Sequence, residues 1–233
     1  MKADYGIDAP NVIRNMLLVA LAAAAIGSFL ALQEGRLHRL GFSFLMTAGG
    51  FTLVALVMLW SSLFGKFGTS DKLLAAIPWR GGEQVLDAGC GHGMMLIAAA
   101  KRLTTGRAIG VDIWSQIDQA QNSAEATRRN AETEGVSERV EIRDADIRRL
   151  PFDDGSFDVV VSSLVIHNIS AAREREQALA EIGRVLKHGG YFAVIDISRN
   201  YGPWLVRNGF TIEKRSLNLL FSIPTRAILA RKL

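Results

Sequence analysis

Cysteine is almost absent: Cys90 is the only one in 233 residues. No intrachain disulfide can form, and no thiolate cluster is available for a structural zinc site, so neither device holds this fold together. A reducing, cytosol-facing location is allowed. Charge is also scarce before Lys66, where Leu, Ala, Phe, Met and Gly dominate, and most charged residues follow it. The chain therefore divides into two regions of different solvent preference, 1–66 and 67–233. What is missing from the second region is a block of one sign: the net charge is +4, but Lys and Arg are interspersed with Asp and Glu throughout. That distribution argues against a nucleic-acid partner and suits a protein close to a membrane surface.

Two stretches lack charge altogether. Residues 15–33 and 41–65 are each close to the roughly 20 apolar residues needed to cross a hydrocarbon core about 30 Å thick. Only QEGRLHRL separates their cores, so two transmembrane helices are expected to fold back as an antiparallel hairpin. Trp60, Phe64 and Phe67 around Lys66 form an aromatic and basic cluster of the kind that sits at a membrane interface. Lys2 and Arg14 on one flank, with Lys66, Lys72 and Arg80 on the other, outnumber Arg36 and Arg39 in the connector. The positive-inside rule then places both termini and the second region in the cytoplasm, making this a multi-pass membrane protein. Gly27, Ser28, Gly49 and Gly50 would let helices approach closely, either within the hairpin or in a homodimer through these helices.

Beyond Phe67 the pattern changes to short β-rich runs separated by helical periodicity, the signature of a parallel sheet with crossover helices. Strands are expected at 84–87, 108–112, 140–143, 157–162 and 191–196, with helices at 94–103, 115–134 and 171–187. Gly189 and Gly190 would stop the last of these helices. Two further strands, 210–215 and 226–231, follow with no long helix between them, which predicts a hairpin and an antiparallel last strand. The fold class is α/β, a mostly parallel seven-stranded Rossmann-like sheet behind a transmembrane α-hairpin. In such sheets ligands bind at the carboxyl ends of the strands.

Residues Val85 to Gly93, VLDAGCGHG, sit between a strand and a helix. Gly89, Gly91 and Gly93 let the backbone turn sharply and approach a ligand closely, while Asp87 offers a carboxylate at the same place. The dinucleotide fingerprint Gly-x-Gly-x-x-Gly would need glycine at 94, where Met94 stands. A second carboxylate, Asp112 in GVDIW, follows about 20 residues later at a strand end, where it can accept hydrogen bonds from ribose hydroxyls. A third segment, RDADIRRLPFDDGSFDVVVSS, brings Asp144, Asp146 and Ile147 behind the third strand and Ser162 to the end of the fourth. RVLKHGGYFAVID leads into the fifth. These four segments, in this order and spacing, resemble the motifs of class I methyltransferases that use S-adenosylmethionine, with His188 where that family usually has proline.

The resemblance covers about 69–233 and implies S-adenosylmethionine as co-substrate, with no metal. It implies that Asp87, Gly89, Gly91 and Gly93 hold its methionine end, Asp112 its ribose, and Asp146 with Ile147 its adenine, Asp144 being the second choice; Ile113 and Ser162 complete the cofactor-binding set. Asp158 opens its strand far from that edge and reads as structural. Methyl transfer from a sulfonium depends mainly on positioning, and an oxygen or protonated amine acceptor also needs a base. His167, in SSLVIHNIS, is the candidate catalytic residue, with Tyr201, Trp204 and Asp196 as possible pocket neighbours. The usual covering helix is cut to about RNYGPWLVRNG, so the hairpin or residues 69–79 are expected to close the pocket over a small, hydrophobic or lipid-like acceptor. Removing Met1 to Gly65 is then expected to reduce turnover of a membrane substrate and to spare donor binding. Two other readings stay open: a membrane module that binds S-adenosylmethionine without catalysis, and a membrane-tethered NAD(P)-dependent oxidoreductase.

Overall fold

The computed structural model describes residues 3–116, 119, 121–197, 201–218 and 224–233. Lys2, counted above among the flanking charges, lies outside them. An extended segment, residues 3–9, leads into α1 (Pro10–Ala31), which turns back at Gly35 into α2 (Arg36–Trp60). The helices meet where side chains are smallest. A Cβ on Gly41 would stand 2.8 Å from the Gly27 carbonyl oxygen, and one on Gly27 would stand 2.9 Å from that of Gly41. Gly27 and Gly41 thus form the seam inside the hairpin, whereas nothing lies within 4 Å of a Cβ at Gly49 or Gly50.

The second helix does not end at Gly65. A π-helical turn (Ser61–Gly65) carries α2 without a break into α3 (Lys66–Leu74), a continuous helix of 39 residues with mean hydropathy 2.0 in its most apolar part; the value for α1 is 1.8. Both helices are long and apolar enough to cross a membrane. Only 22% and 17% of their most apolar windows are buried, so they are not packed as the core helices of a soluble domain would be. Leu18, Leu21, Phe29, Phe42, Met46 and Leu53 all face outward.

The rest of the chain is a seven-stranded sheet built from β1 (Gln84–Ala88), β2 (Arg107–Asp112), β3 (Val140–Asp144), β4 (Phe157–Ser163), β5 (Leu186–Ile197), β6 (Phe210–Asn218) and β7 (Thr225–Lys232). Its order is β3-β2-β1-β4-β5-β7-β6, with β7 antiparallel to both neighbours and the first five strands parallel. The order reverses beside β1, which places the glycine-rich turn at the switch point where open sheets bind ligands. The central strands are buried on both faces, as parallel strands between helical layers must be. Leu86, Val160 and Phe192 pack with α6 (Ala172–Val185) on one face. Val85, Val159 and Val161 pack on the other with α3, α4 (Met94–Ala100) and the end of α5 (Ala124–Thr133).

Two expectations are corrected. The helix expected over 115–134 begins at Ala124, because the Ser123 hydroxyl accepts the Ala126 amide as an N-cap. Trp114 and Gln121 have positive φ, incompatible with helix, and 117, 118 and 120 lie outside the described residues. Gly189 and Gly190 do not cap a helix. The helix ends at Val185, and these glycines lie inside β5, where a Cβ on Gly190 would come 2.9 Å from the Asp158 carbonyl oxygen. Residues 69–79, expected as a possible pocket cover, pack partly into the core. Leu73, Leu74 and Ile77 are buried against the sheet, so α3 takes the place of a core-covering helix.

Candidate functional site

β1 ends in Asp87 and Ala88, and the backbone then bends through Gly89 (φ +84°), Gly91 (φ +50°) and Gly93 (φ +86°) into α4. Each of these angles strains any residue with a Cβ. Space is limited as well: a Cβ on Gly89 would run into Val165, and one on Gly91 would lie 2.5 Å from Gln119 Oε1. The turn is fixed by Gly89 and Cys90 amides donating to the Val111 carbonyl at 2.8 and 3.0 Å. From α5, the Thr127 hydroxyl donates to the Gly91 carbonyl at 2.5 Å and Asn130 Nδ2 to the His92 carbonyl at 2.9 Å.

Asp87 points into the helical layer formed by α3 and α4. It is 1% exposed, and among the described residues neither carboxylate oxygen has a hydrogen-bond partner of normal geometry. Burial pushes its pKa up to about 8; the Leu96 amide tempers the rise and the charge of Asp112 adds to it. A buried carboxyl left without a partner is costly unless a cation or donor meets it. Asp112, at the end of β2, is tied to the same turn: Oδ2 accepts the Gly91 amide at 2.9 Å, while Oδ1 accepts the Trp114 amide at 2.7 Å and Asn122 Nδ2 at 3.3 Å. Ile113 beside it presents an apolar side chain that is 65% exposed at the strand ends.

Asp146 and Ile147 follow β3, which the Ala145 amide joins to Asp112 through its carbonyl at 3.2 Å. The Asp146 carboxylate is already bound by Arg148, whose Nε and Nη2 reach it at 2.6 to 3.0 Å while Nη1 donates to Glu174 at 2.6 Å. That guanidinium holds the Asp146 carboxyl below its usual range. The Ile147 side chain is part of the core, which leaves its backbone to face a ligand. Asp144 accepts Trp114 Nε1 at 2.5 Å. Ser162 is 1% exposed and donates to the Ala88 carbonyl at 2.8 Å, so its hydroxyl joins β4 to β1. Asp158, at the opposite end of β4, accepts the Gln84 amide and Lys187 Nζ, as a structural residue would.

His167 lies in a 3-10 turn after β4 (Ile166–Asn168), and its Nδ1 is 2.5 Å from Oδ1 of Asp196, near the end of β5. Asp196 is 1% exposed and accepts three more hydrogen bonds: the His167 amide at 3.1 Å, the Ile197 amide at 2.7 Å and the Tyr201 hydroxyl at 3.0 Å. Surrounded by donors, Asp196 acts as an acceptor, so His167 Nδ1 carries the hydrogen and Nε2 is the basic nitrogen. Tyr201 precedes a short helix, α7 (Gly202–Arg207), with Trp204 packed against the core; 198–200, at the start of the shortened covering segment, lie outside the described residues.

The motifs gave no sign of the contacts that cross the glycine turn from residues 3–9. The Asp4 amide donates to Asn130 Oδ1 at 2.9 Å, and the Asp4 carbonyl lies 2.7 Å from Asn130 Nδ2 and 3.2 Å from His92 Nδ1. Gln119 Nε2 donates to the Tyr5 carbonyl at 3.2 Å. These pairs are up to 126 positions apart, beyond any local pattern. An apolar groove of about 370 Å³, lined by Ile7, Pro10, Ile13, Leu17 and Leu59 among others, starts beside this segment; none of the strand-end carboxylates lines it.

Residues 86–194 match the family model described as a methyltransferase domain. An uncharacterised 37.1 kDa transposon protein of Streptomyces fradiae is 33% identical over 175 residues, 66% of this chain and 47% of the relative. A demethylmenaquinone methyltransferase of Symbiobacterium thermophilum is 30% identical over 142 residues, covering 60% and 53% of the two chains. The chain thus spans about half the length of the curated relatives it matches. Among solved structures, a geranyl diphosphate methyltransferase in complex with S-adenosylmethionine superposes with TM-score 0.60 at 17% identity, over 79% of this chain and 91% of that one. That likeness shows the shared fold.

Proposed function

We propose that this chain, whose sheet region is a class I S-adenosylmethionine-dependent methyltransferase domain, is anchored by its hairpin and methylates a small hydrophobic or lipid-associated acceptor. The observation that carries the donor half is Asp87. A carboxyl 1% exposed, with no hydrogen-bond partner of normal geometry among the described residues and three glycines bending beside it, is suited to a cationic amino group brought in by a ligand. The amino end of S-adenosylmethionine has that chemistry, and a pyrophosphate does not.

The residues fit the rest of this donor. Asp112 retains acceptor capacity for ribose hydroxyls, since a carboxylate has about four lone-pair sites and three are used here. Ile113 offers an apolar surface to the base and the Ile147 backbone an edge contact; the Asp146 carboxylate already accepts four contacts from Arg148, so it would reach the base only by giving one of them up. Ser162 supports the turn from beneath. When bound, S-adenosylmethionine would supply a methyl carbon on cationic sulfur, to which the acceptor's electron pair bonds in line as the carbon–sulfur bond breaks and a neutral thioether leaves. His167 Nε2 takes the proton that a hydroxyl or ammonium acceptor must lose, while Asp196 holds the ring in the required tautomer.

The hydrophobic acceptor is supported by position. The Asp8 amide donates to Ser62 Oγ at 3.1 Å, so the domain end of both apolar helices lies beside the segment that touches the glycine turn. In sequence, Arg14, Lys66, Lys72 and Arg80 flank that end of the hairpin, against Arg36 and Arg39 at the tip, which supports a cytoplasmic domain held at the membrane surface. Relatives named as methyltransferases of demethylmenaquinone and of 2-phytyl-1,4-naphthoquinone make apolar quinones the first acceptors to try. The test is to incubate the full-length protein in lipid nanodiscs with donor labelled in the methyl group and with fractionated membrane lipids and quinols. Label is expected in an organic-soluble product. Donor binding without any labelled product would favour a non-catalytic binding module, and tighter binding of NAD(P) would favour an oxidoreductase.

A further inference from the structure

Lys66 is 4% exposed, although it opens α3 directly after the apolar run 41–65. A juxtamembrane lysine ordinarily extends toward water or headgroups. This one turns inward. Its Nζ donates to the Tyr5 carbonyl at 3.0 Å, the Gly6 carbonyl at 2.9 Å and Asp8 Oδ1 at 3.3 Å, which matches its three hydrogens with three oxygens. All three belong to the segment that lies on the glycine turn. Tyr5 stacks edge-on against Phe67 with ring centroids 5.5 Å apart, and a Cβ at Gly6 would stand 3.0 Å from the His92 ring. The segment is thus gripped from one side by Lys66, Phe67 and Ser62, and from the other by Asn130, His92 and Gln119.

We propose that Lys66 is a positioning residue for the donor site: its ammonium clamps residues 4–8 onto the Gly91 to Gly93 turn, so that donor affinity depends on the junction between hairpin and domain. The inference rests on the donor reading above. The route is short. Asp4 shares the Asn130 side chain with the His92 carbonyl, and the segment also engages Gln119, whose amide oxygen covers Gly91. Without the clamp, Asn130 and Gln119 would lose their outer partners and the turn would lose two of the groups that hold its shape. The geometry also revises the expectation that removing Met1 to Gly65 spares donor binding, because that deletion takes the whole segment with it.

The experiment measures equilibrium binding of S-adenosylmethionine and of S-adenosylhomocysteine to the full chain in nanodiscs. Lys66→Met keeps the buried stem and removes the ammonium; it should raise Kd by about tenfold or more, the scale expected when one or two charge-assisted hydrogen bonds are lost. Lys66→Arg should recover most of the affinity. Deleting residues 3–8 should weaken binding to the same extent, and Lys66→Met on top of that deletion should add nothing, since both changes remove the same contact. KM for the donor should rise while kcat at saturating donor stays within about threefold, because among the described residues the segment makes no hydrogen bond to His167 or Asp196. If Lys66→Met disturbs folding, Asp8→Asn and the deletion carry the same comparison. Wild-type affinity in Lys66→Met, or losses that add in the double variant, would overturn the clamp alone; a wild-type protein that binds no donor would overturn the reading beneath it.

Discussion

At the scale of single residues, Asp87 and His167 represent two different uses of burial. Asp87 is a carboxyl kept dry, with its pKa pushed up to about 8 by desolvation first, so much of it holds a proton at neutral pH in the empty protein. Binding of a cation beside it should expel that proton. Calorimetry at pH 7 in two buffers of different ionisation enthalpy is expected to show proton release on donor binding, and affinity should increase from pH 6 to pH 8. Stability should move the other way. Between about 3.8, where the unfolded side chain ionises, and about 8, the unfolded chain gives up a proton that the folded chain keeps, so this group's contribution falls as pH rises. Asp87→Asn should abolish both effects and weaken donor binding by about a hundredfold, in line with removing one partner of a buried charge pair. His167→Gln should leave donor affinity intact and lower kcat by about 10² to 10⁴, the range for loss of a general base; unchanged kcat would reassign His167 to structural support.

Among elements, the contrast lies between those written in local pattern and those set by distant contacts. All seven strands were legible, because apolar runs of four to seven residues bounded by Gly, Asp and Ser leave few other readings, and the paired tail strands showed themselves by having no long helix between them. The start of α5 was not. Helical periodicity could be drawn back to Ser115, and only the positive φ at Trp114 and Gln121 with the Ser123 cap shows where the helix begins. Gly189 and Gly190 looked like a helix stop, yet both lie inside β5, and Gly190 serves a close approach to β4 that no local window contains. The carboxylates at 87, 112 and 146 were legible by residue type and spacing, whereas the partnership of Asp146 with Arg148 and the arrival of Asp4 at His92 were not. In the hairpin, Gly41 has the least room. Gly41→Ala should push α1 and α2 apart and destabilise their pairing by about 1 to 3 kcal/mol, as overpacking does; thermal unfolding in detergent micelles measures it, and the same change at Gly49 should be silent.

On the scale of the whole molecule, the junction between the regions is a helix that runs through it. An apolar run ending at Gly65 suggests a tether, but α2 passes through a π-helical turn into α3, and α3 is a working part of the sheet's covering layer. At 1.5 Å per residue the 39-residue helix is about 58 Å long, longer than a hydrocarbon core of about 30 Å requires, so nearly half of it is available to the domain. Inserting a flexible Gly-Ser stretch between Gly65 and Lys66 should therefore leave both parts folded but lower turnover of a membrane-held acceptor more than that of a water-soluble analogue. Equal losses for the two substrates would show that orientation is irrelevant.

A mast with no swivel also changes how such an enzyme meets its substrate. On the membrane anchoring proposed above, the domain would be held at one height and one tilt, and a lipid-borne acceptor would reach it by sliding sideways through the lipid. Encounter frequency is then governed by how crowded the acceptor is within the sheet of lipid, and diluting the vesicles with more lipid slows the reaction where diluting them with more buffer does not.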